Sequence, residues 1–242
     1  MNQKRNKIPA ISSDEMREVD RLMIEEFGIE LVMMMENAGR NLALLSDKIL
    51  AESIEGKKVL VAVGAGSNGG GGLVAARYLH NWGAKVEVLI EGEDLIGVPE
   101  AQLKIVEKLD IEVTYKERAI LSLRDRKIDL IIDSLIGYGL KRDPRGWAAK
   151  MINSINSTSI KVLSLDAPSG LDTTSGIVAD PCVNADATMT LALPKTGLFS
   201  NDARNVVGKL FLADIGVPSE LYRMMGINVG HIFSKDTVIE LF

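Results

Sequence analysis

The stretch Lys58-Val59-Leu60-Val61-Ala62-Val63-Gly64-Ala65-Gly66-Ser67-Asn68-Gly69-Gly70-Gly71-Gly72-Leu73-Val74-Ala75-Ala76-Arg77-Tyr78-Leu79 decides the fold. It opens with an apolar run typical of a buried strand and closes with the pattern of a helix. A strand, a glycine-rich turn and a helix can cradle an anion. The glycines let the backbone approach closely, and the free N–H groups at the helix start point toward the ligand. The stretch therefore predicts a nucleotide or dinucleotide ligand.

The glycine spacing has a second interpretation. Gly64, Gly66 and Gly69 fit the dinucleotide fingerprint of an NAD dehydrogenase, and Glu91, at the end of the second predicted strand, could hold ribose hydroxyls. The run continues to Gly72, however, and this favours a wider, more flexible loop that delays the helix. A dehydrogenase also needs a substrate-side proton donor and usually a second domain, and the sequence offers neither clearly.

Composition narrows the class of protein. The chain has 242 residues, of which 46% are hydrophobic and 25% charged, as in ordinary soluble proteins. A formal charge of -5 argues against a broad nucleic-acid-binding surface. The single cysteine, Cys182, cannot form an intrachain disulfide. No signal-peptide core or membrane-length apolar segment is found, so we expect a cytoplasmic protein.

The order of elements predicts the fold class. Residues 1–56 read as a helical prefix and residues 57–242 as a core in which strands and helices alternate, which indicates a mostly parallel sheet with helices on both faces. We therefore expect one domain with a Rossmann-like three-layer α/β/α sandwich. The predicted strands are 59–63, 86–90, 113–115, 130–132, 162–165, 187–191 and 210–212. The predicted helices begin after an N-cap at Ser13 and near Met33, and continue with 72–82, 99–109 and 145–155.

Four segments with reactive or ligand-binding residues follow predicted strands. They are the glycine run, Asp133-Ser134-Leu135-Ile136-Gly137-Tyr138-Gly139-Leu140-Lys141-Arg142-Asp143, Asp166-Ala167-Pro168-Ser169-Gly170-Leu171-Asp172, and Leu193-Pro194-Lys195-Thr196-Gly197. Any one alone could be a helix cap or an ordinary turn. Because the carboxyl ends of parallel strands meet at one edge of a sheet, the four together predict a single site.

These segments resemble the YjeF N-terminal family, the NAD(P)H-hydrate epimerases. That family carries a glycine loop of the form G-x-G-N-N-G-G-D-G, then D-x-x-x-G-x-G-L, D-x-P-S-G-L-D and a P-K-x-G segment. The likeness spans nearly the whole chain and includes Glu15-Met16…Asp20 and Met35-Glu36-Asn37-Ala38-Gly39 in the helical prefix. It implies an epimerase that interconverts the R and S forms of hydrated NADH or NADPH. It also implies a separate dehydratase as functional partner and a homodimer, for which we expect the Met23, Met33, Met34 and Met35 region to supply contacts.

The resemblance also implies the residues of the site. A potassium ion would be held by Asn68, Asp133 and Ser169, whose oxygen atoms suit a hard cation. Asp166 is the first candidate for the acid/base group, with Lys195 as a proton donor or as its charge partner. The dinucleotide would contact Ser67, Asn68, Gly69, Gly70, Gly71, Gly137, Tyr138, Gly139, Leu140, Lys141, Arg142, Asp143 and Asp166.

Two loop positions depart from the family motif. Ser67 replaces an asparagine and keeps a hydroxyl, whereas Gly71 replaces an aspartate and has no side chain. This change leaves open an alternative, a non-catalytic nucleotide- or RNA-binding scaffold with the same fold. A domain of this type without epimerase activity occurs in an mRNA decapping enhancer. The acidic composition and the intact Asp133, Asp166 and Ser169 favour the epimerase.

Overall fold

The structure is a computed structural model that describes residues 8–51, 53–92, 95–115, 123 and 126–242. Its helices are α1 (Ser13–Glu25), α2 (Leu31–Ile49), α3 (Ser67–Asn81), α4 (Val98–Val106), α5 (Gly146–Asn156), α6 (Arg204–Val207) and α7 (Ser219–Met224). Its strands are β1 (Lys58–Val63), β2 (Lys85–Ile90), β3 (Glu112–Tyr115), β4 (Leu130–Ser134), β5 (Val162–Leu165), β6 (Ala187–Leu191), β7 (Lys209–Ala213) and β8 (Val238–Glu240).

The described strands form one eight-stranded sheet in the order β3-β2-β1-β4-β5-β6-β7-β8. All neighbouring pairs are parallel except β7 and β8, which are antiparallel. The chain runs outward from β1 to β3 and then crosses to β4 on the other side of β1. The carboxyl ends of β1 and β4 therefore flank a topological switch point, where open α/β sheets bind ligands.

The sheet is covered on both faces because its strands are apolar on both sides. Val59, Val61 and Val63 of β1 pack in one core with residues of α2, α3 and α4, whereas Leu60 and Ala62 pack with α5. This alternation along one strand is the two-residue period of a pleated sheet. The predicted three-layer α/β/α fold is confirmed.

The helical prefix begins one residue earlier than predicted. Ser12, not Ser13, is the N-cap of α1, because Ser12 and Glu15 form a reciprocal capping box. The Ser13 hydroxyl instead bonds the Thr173 hydroxyl at 2.9 Å. The sequence predicted that four methionines supply a contact surface. This is wrong for Met23, Met34 and Met35, which are buried within the chain. Met33 is exposed.

The glycine run is helix rather than a wide loop, contrary to expectation. Helix α3 begins at Ser67, and its glycines lie in close contact with neighbouring elements. A Cβ on Gly69 would lie 1.9 Å from the Gly64 carbonyl oxygen, and one on Gly72 would lie 2.0 Å from Ser134 Oγ. The glycines therefore let the first turn of α3 lie directly on the ends of β1 and β4, as dense packing requires.

The chain end contains elements that the sequence pattern did not predict. Strand β8 pairs antiparallel with β7 at the sheet edge, and α6 and α7 are too short for a clear helical period. In the described parts of the chain, no helix combines the length and apolar character needed to cross a membrane.

Candidate functional site

A cavity of about 550 Å³ lies at the carboxyl ends of the central strands. The first turn of α3, the segments after β4 and β5, and Lys195 after β6 line its base, and α1 and α2 contribute its other wall. Four segments that are far apart in sequence therefore meet at one place. This is the convergence that the strand exits predicted.

Most of the predicted ligand-binding residues reach this cavity. Those that line it are Ser67, Asn68, Gly71, Gly137, Tyr138, Gly139, Lys141, Asp166 and Lys195. Gly69 and Gly70 instead pack α3 against the Gly64 carbonyl and against Met35. Leu140, Arg142 and Asp143 lie outside the lining, in the loop beyond Gly139. Glu91, the ribose-binding candidate of the dehydrogenase interpretation, is exposed and lies outside it as well.

The start of α3 presents unpaired backbone donors to the cavity. Gly66 is the N-cap and supplies no side-chain hydrogen bond to the first turn. Gly66, Ser67 and Asn68 all line the cavity. Because the first N–H groups of a helix have no intrahelical partner and carry its positive dipole end, this edge suits a phosphate group.

Asp166 and Lys195 form an ion pair that is almost completely buried. Lys195 Nζ donates to Asp166 Oδ1 at 2.5 Å, and the two side chains are 0% and 3% exposed. The ammonium group also donates to the Leu191 carbonyl oxygen at 3.0 Å and lies 3.4 Å from Thr190 Oγ1. Its three protons therefore have acceptors, and this favours Lys195 as the charge partner of Asp166 over a free proton donor.

The backbone holds Asp166 in an unusual conformation. Its φ of 66° is in the left-handed region, which residues with a side chain rarely adopt. Its N–H group donates to the Met189 carbonyl oxygen at 2.7 Å, and its Oδ2 accepts from the Tyr138 N–H at 2.9 Å. Such conformations persist where surrounding contacts fix them, and they are concentrated at functional sites. The Asp166 carboxylate is therefore held firmly toward the cavity.

Asp20 of α1 is a site residue that the site prediction missed. The Tyr138 hydroxyl donates to Asp20 Oδ2 at 2.5 Å, across 118 positions of sequence. Burial raises the pKa of Asp20, and the hydrogen bond from Tyr138 opposes that rise. Burial and the neighbouring Asp20 carboxylate raise the pKa of Tyr138 far above its ordinary value, so its hydroxyl stays protonated. The sequence signal was the place of Asp20 in the stretch from Glu15 that resembles the family, but nothing local tied it to the loop after β4.

Two of the three predicted cation ligands are in contact. Asp133 Oδ1 accepts from Ser169 Oγ at 2.6 Å, and Asp133 Oδ2 accepts from the Ser169 N–H at 2.9 Å and from Ser164 Oγ at 2.8 Å. Asn68 donates through Nδ2 to the Leu165 carbonyl oxygen at 3.2 Å, so it contacts the neighbouring strand exit.

The chemistry of these ligands fits a monovalent cation. Asp133 is fully buried, and its contacts are all neutral donors, so burial raises the pKa of its carboxyl group. One buried carboxylate among neutral hydroxyl and amide oxygens matches a single positive charge with a preference for oxygen ligands. In the described residues no group of three or more histidine, cysteine, aspartate or glutamate side chains could hold a metal ion, and the predicted set contains only one carboxylate.

Comparison with known proteins places the chain in a family. Residues 31–197 match the family described as YjeF-related protein N-terminus. The chain is 41% identical over 91% of its length to an NAD(P)H-hydrate epimerase of Dehalogenimonas lykanthroporepellens and covers 87% of that protein. It is 32% identical to an NAD(P)H-hydrate epimerase of Rhodopirellula baltica, with 91% of this chain and 89% of that protein covered.

The chain is also similar to a longer bifunctional enzyme and to a protein of known structure. A bifunctional NAD(P)H-hydrate repair enzyme of Moorella thermoacetica is 34% identical over 90% of this chain, which spans 42% of that longer protein. The crystal structure of the yeast protein YNL200c superposes with a TM-score of 0.83 at 22% identity and covers 97% of this chain and 100% of that one, a likeness of fold. The sequence match over most of its length shows that this chain belongs to the YjeF N-terminal family of NAD(P)H-hydrate epimerases.

Proposed function

We propose that this protein is an NAD(P)H-hydrate epimerase and that the cavity at the strand ends is its active site. The observation that carries the proposal is the buried pair of Asp166 and Lys195 at the base of that cavity, in a chain 41% identical to a named epimerase. The substrate is a nicotinamide dinucleotide whose reduced ring has taken up water. The enzyme interconverts its R and S forms.

The cavity offers a place for each part of such a substrate. The diphosphate of the substrate lies at the start of α3, where backbone N–H groups and the helix dipole favour negative charge. The hydrated ring lies beside Asp166, which lines the same cavity. Lys141, which also lines the cavity, supplies a cation for a phosphate or ribose group.

Asp166 handles the proton in the chemical step. Inversion at the hydroxyl-bearing carbon proceeds through loss of water and its return to the other face, and each half requires proton transfer at the oxygen. Lys195 holds the Asp166 carboxylate in place at 2.5 Å and balances its charge in the buried site. The enzyme needs no oxidant, because the ring is neither oxidised nor reduced.

Asn68, Asp133 and Ser169 would hold a potassium ion. Bound there, the ion would supply positive charge beside the buried Asp133 carboxylate, one strand exit from Asp166. The residues themselves connect three segments of the site: Ser169 Oγ contacts both Asp133 and the Ile136 backbone, and Asn68 contacts the Leu165 carbonyl oxygen.

A dehydratase that removes water from one epimer would use the product. One relative is named a bifunctional NAD(P)H-hydrate repair enzyme, which supports a pairing of two activities in this repair. For this chain we infer that the dehydratase is a separate protein. We further propose that this protein is a homodimer, as its family resemblance implies.

The test uses each epimer of hydrated NADPH and of hydrated NADH, separated by chromatography. Wild-type protein should convert either pure epimer to the same R/S mixture faster than buffer alone. Asp166→Asn should lower the rate about 100-fold or more, because an amide cannot exchange a proton in this role. Asp202→Asn, which changes an exposed carboxylate outside the cavity, is the matched control and should keep the wild-type rate. No conversion by wild-type protein would refute the proposal.

A further inference from the structure

We propose that Asp20 is a second catalytic residue, which exchanges protons on the face of the substrate ring opposite to Asp166. This inference rests on the proposed epimerase function. Asp20 lines the same cavity as Asp166, but it comes from α1 rather than from a strand exit. The two carboxyl groups are held at opposite ends of one residue: the Tyr138 hydroxyl contacts Asp20, and the Tyr138 N–H contacts Asp166.

Asp166 alone is poorly placed to serve both faces of a ring. Its carboxylate accepts hydrogen bonds from Lys195 and from the Tyr138 N–H, and it lies 3.3 Å from Thr190 Oγ1. Its backbone is fixed in the left-handed region. A side chain held by this many contacts cannot move from one side of a bound ring to the other. Inversion nevertheless needs a proton given to the oxygen that leaves one face and a proton taken from the water that attacks the other.

Asp20 has the properties that the second role requires. Its Oδ2 accepts from the Tyr138 hydroxyl, whereas its Oδ1 accepts no hydrogen bond from the described residues. That oxygen is therefore free to contact a substrate. The titratable groups that interact with Asp20 are Tyr138, Lys195, Asp166 and Tyr222. The Arg17 guanidinium lies over the Tyr138 ring at 5.9 Å.

The surroundings of the two carboxyl groups also differ, as an acid and a base in one site require. Burial raises the pKa of Asp20, and this favours its protonated form. Asp166 instead contacts the buried Lys195 ammonium group at 2.5 Å, which places a positive charge beside this carboxyl group and not beside Asp20 Oδ2. One acid and one base in the same cavity, distinguished by their surroundings, is the arrangement that acid/base enzymes use.

The step balances without another reactant. Asp20 gives its proton to the hydroxyl oxygen as the carbon–oxygen bond breaks, water leaves, and the lone pair of the adjacent ring nitrogen forms a carbon–nitrogen double bond. A water molecule then attacks the opposite face, the double-bond electrons return to nitrogen, and Asp166 takes the proton released. The reverse reaction uses the two carboxyl groups in exchanged roles, and proton exchange with solvent restores the starting state.

The test measures both inversion and oxygen exchange in heavy-oxygen water. Asp20→Asn should slow inversion of hydrated NADPH by about 100-fold or more, in the range for loss of a general acid or base. The variant should still exchange the hydroxyl oxygen of one epimer with solvent without inverting it, because Asp166 continues to serve that face. Asp166→Asn should show the same behaviour for the other epimer. This exchange pattern separates a catalytic role from a merely structural one.

Control variants make the outcome decisive. Glu25→Gln changes an exposed carboxylate on the same helix, outside the cavity, and should keep the wild-type inversion rate. Tyr138→Phe leaves Asp20 in place but removes its hydrogen bond, and should slow inversion about tenfold. Wild-type inversion in Asp20→Asn, or loss of exchange for both epimers in a folded Asp20→Asn protein, would overturn the role of Asp20 while the epimerase function stands. An inactive wild-type protein would overturn both.

Discussion

At the scale of single residues, the site depends on buried charge that neighbouring groups hold in place. Lys195 is fully buried and sits 5.6 Å from the centre of the Tyr138 ring while it pairs with Asp166. Removing one partner of a buried ion pair typically costs 3–5 kcal/mol, about the cost of leaving a charge uncompensated. Asp133, by contrast, is buried among neutral donors. The two carboxyl groups at neighbouring strand exits are therefore held by different contacts, one by an ammonium group and the other by neutral donors.

Gly71 gives a prediction about substrate affinity. It lies in α3 and lines the cavity where the family motif has an aspartate. Its φ is not positive, and an added Cβ would meet only Leu165 Cδ2, the end of a flexible side chain, at 2.8 Å. Gly71→Asp should lower the KM for hydrated NADPH about tenfold or more, since a hydrogen bond to a charged group contributes roughly 1.5–3 kcal/mol. Gly71→Ala adds the Cβ without the carboxylate. An equal KM for the two variants would contradict the prediction.

Asp133 gives a prediction about potassium and pH. Because its pKa is raised on folding, the folded state holds this proton more tightly than the unfolded chain. The stability from this group is therefore present at acid pH and lost as pH rises above the ordinary carboxyl value of about 4. Potassium bound beside the ionised carboxylate should oppose that loss. We expect potassium to raise the Tm of the wild-type protein relative to choline at equal ionic strength, more at neutral than at acid pH.

The control for this measurement is Asp133→Asn, which should lose the potassium-dependent rise in Tm, whereas Asp202→Asn should keep it. A potassium effect of the same size in wild-type protein and Asp133→Asn would show that the ion binds elsewhere.

At the scale of elements, α3 determines the shape of the site. Glycine is a poor helix former, with a cost of about 1 kcal/mol per residue relative to alanine. Positions 69–72 are nevertheless all glycine, because this part of the helix lies against the Gly64 carbonyl, Met35, Leu165 and Ser134. Residues with side chains there would move the helix away from the strand ends. The start of α3 would then no longer border the cavity.

Gly69→Ala tests this close approach. Its Cβ would lie 1.9 Å from the Gly64 carbonyl oxygen, and backbone cannot move aside as a side chain can. We expect a loss of about 1–3 kcal/mol in the free energy of unfolding, as for other overpacked sites. Gly139→Ala is the matched control, because nothing lies within 4 Å of its added Cβ and its φ is not positive, and it should change stability by less than about 0.5 kcal/mol. Urea unfolding measures both, and equal stability of the two variants would count against the packing role.

The elements also show what the sequence could predict. The central strands lie where apolar runs bounded by turns indicated them, because a strand buried on both faces leaves a strong signal. The start of α3 was missed because a glycine run reads as a loop unless the neighbouring strands are known. Strand β8 was missed because Val238–Glu240 is short and only partly buried. Asp20 was part of the family resemblance but was not predicted to lie in the site, because its partner, Tyr138, is 118 positions away.

At the scale of the whole molecule, the oligomeric state is a prediction. Met33 of α2 is 52% exposed, and Val32 and Leu44 on the same helix are also exposed. An exposed apolar face of this kind is suited to contact with another copy of the chain. Light scattering at micromolar concentration should give twice the chain mass of 26.3 kDa. A mass equal to one chain would contradict the homodimer and leave the proposed site, which one chain assembles, unaffected.

Fold, cavity and family together point to inversion of a hydrated nicotinamide ring through loss and return of water. The most direct test starts from one pure epimer of hydrated NADPH in heavy-oxygen water and follows both the R/S ratio and the mass of each epimer. We expect that wild-type protein forms the other epimer quickly, that the new epimer carries solvent oxygen, and that Asp166→Asn forms it about 100-fold more slowly or not at all. Absence of inversion, or inversion that keeps the original oxygen, would contradict it.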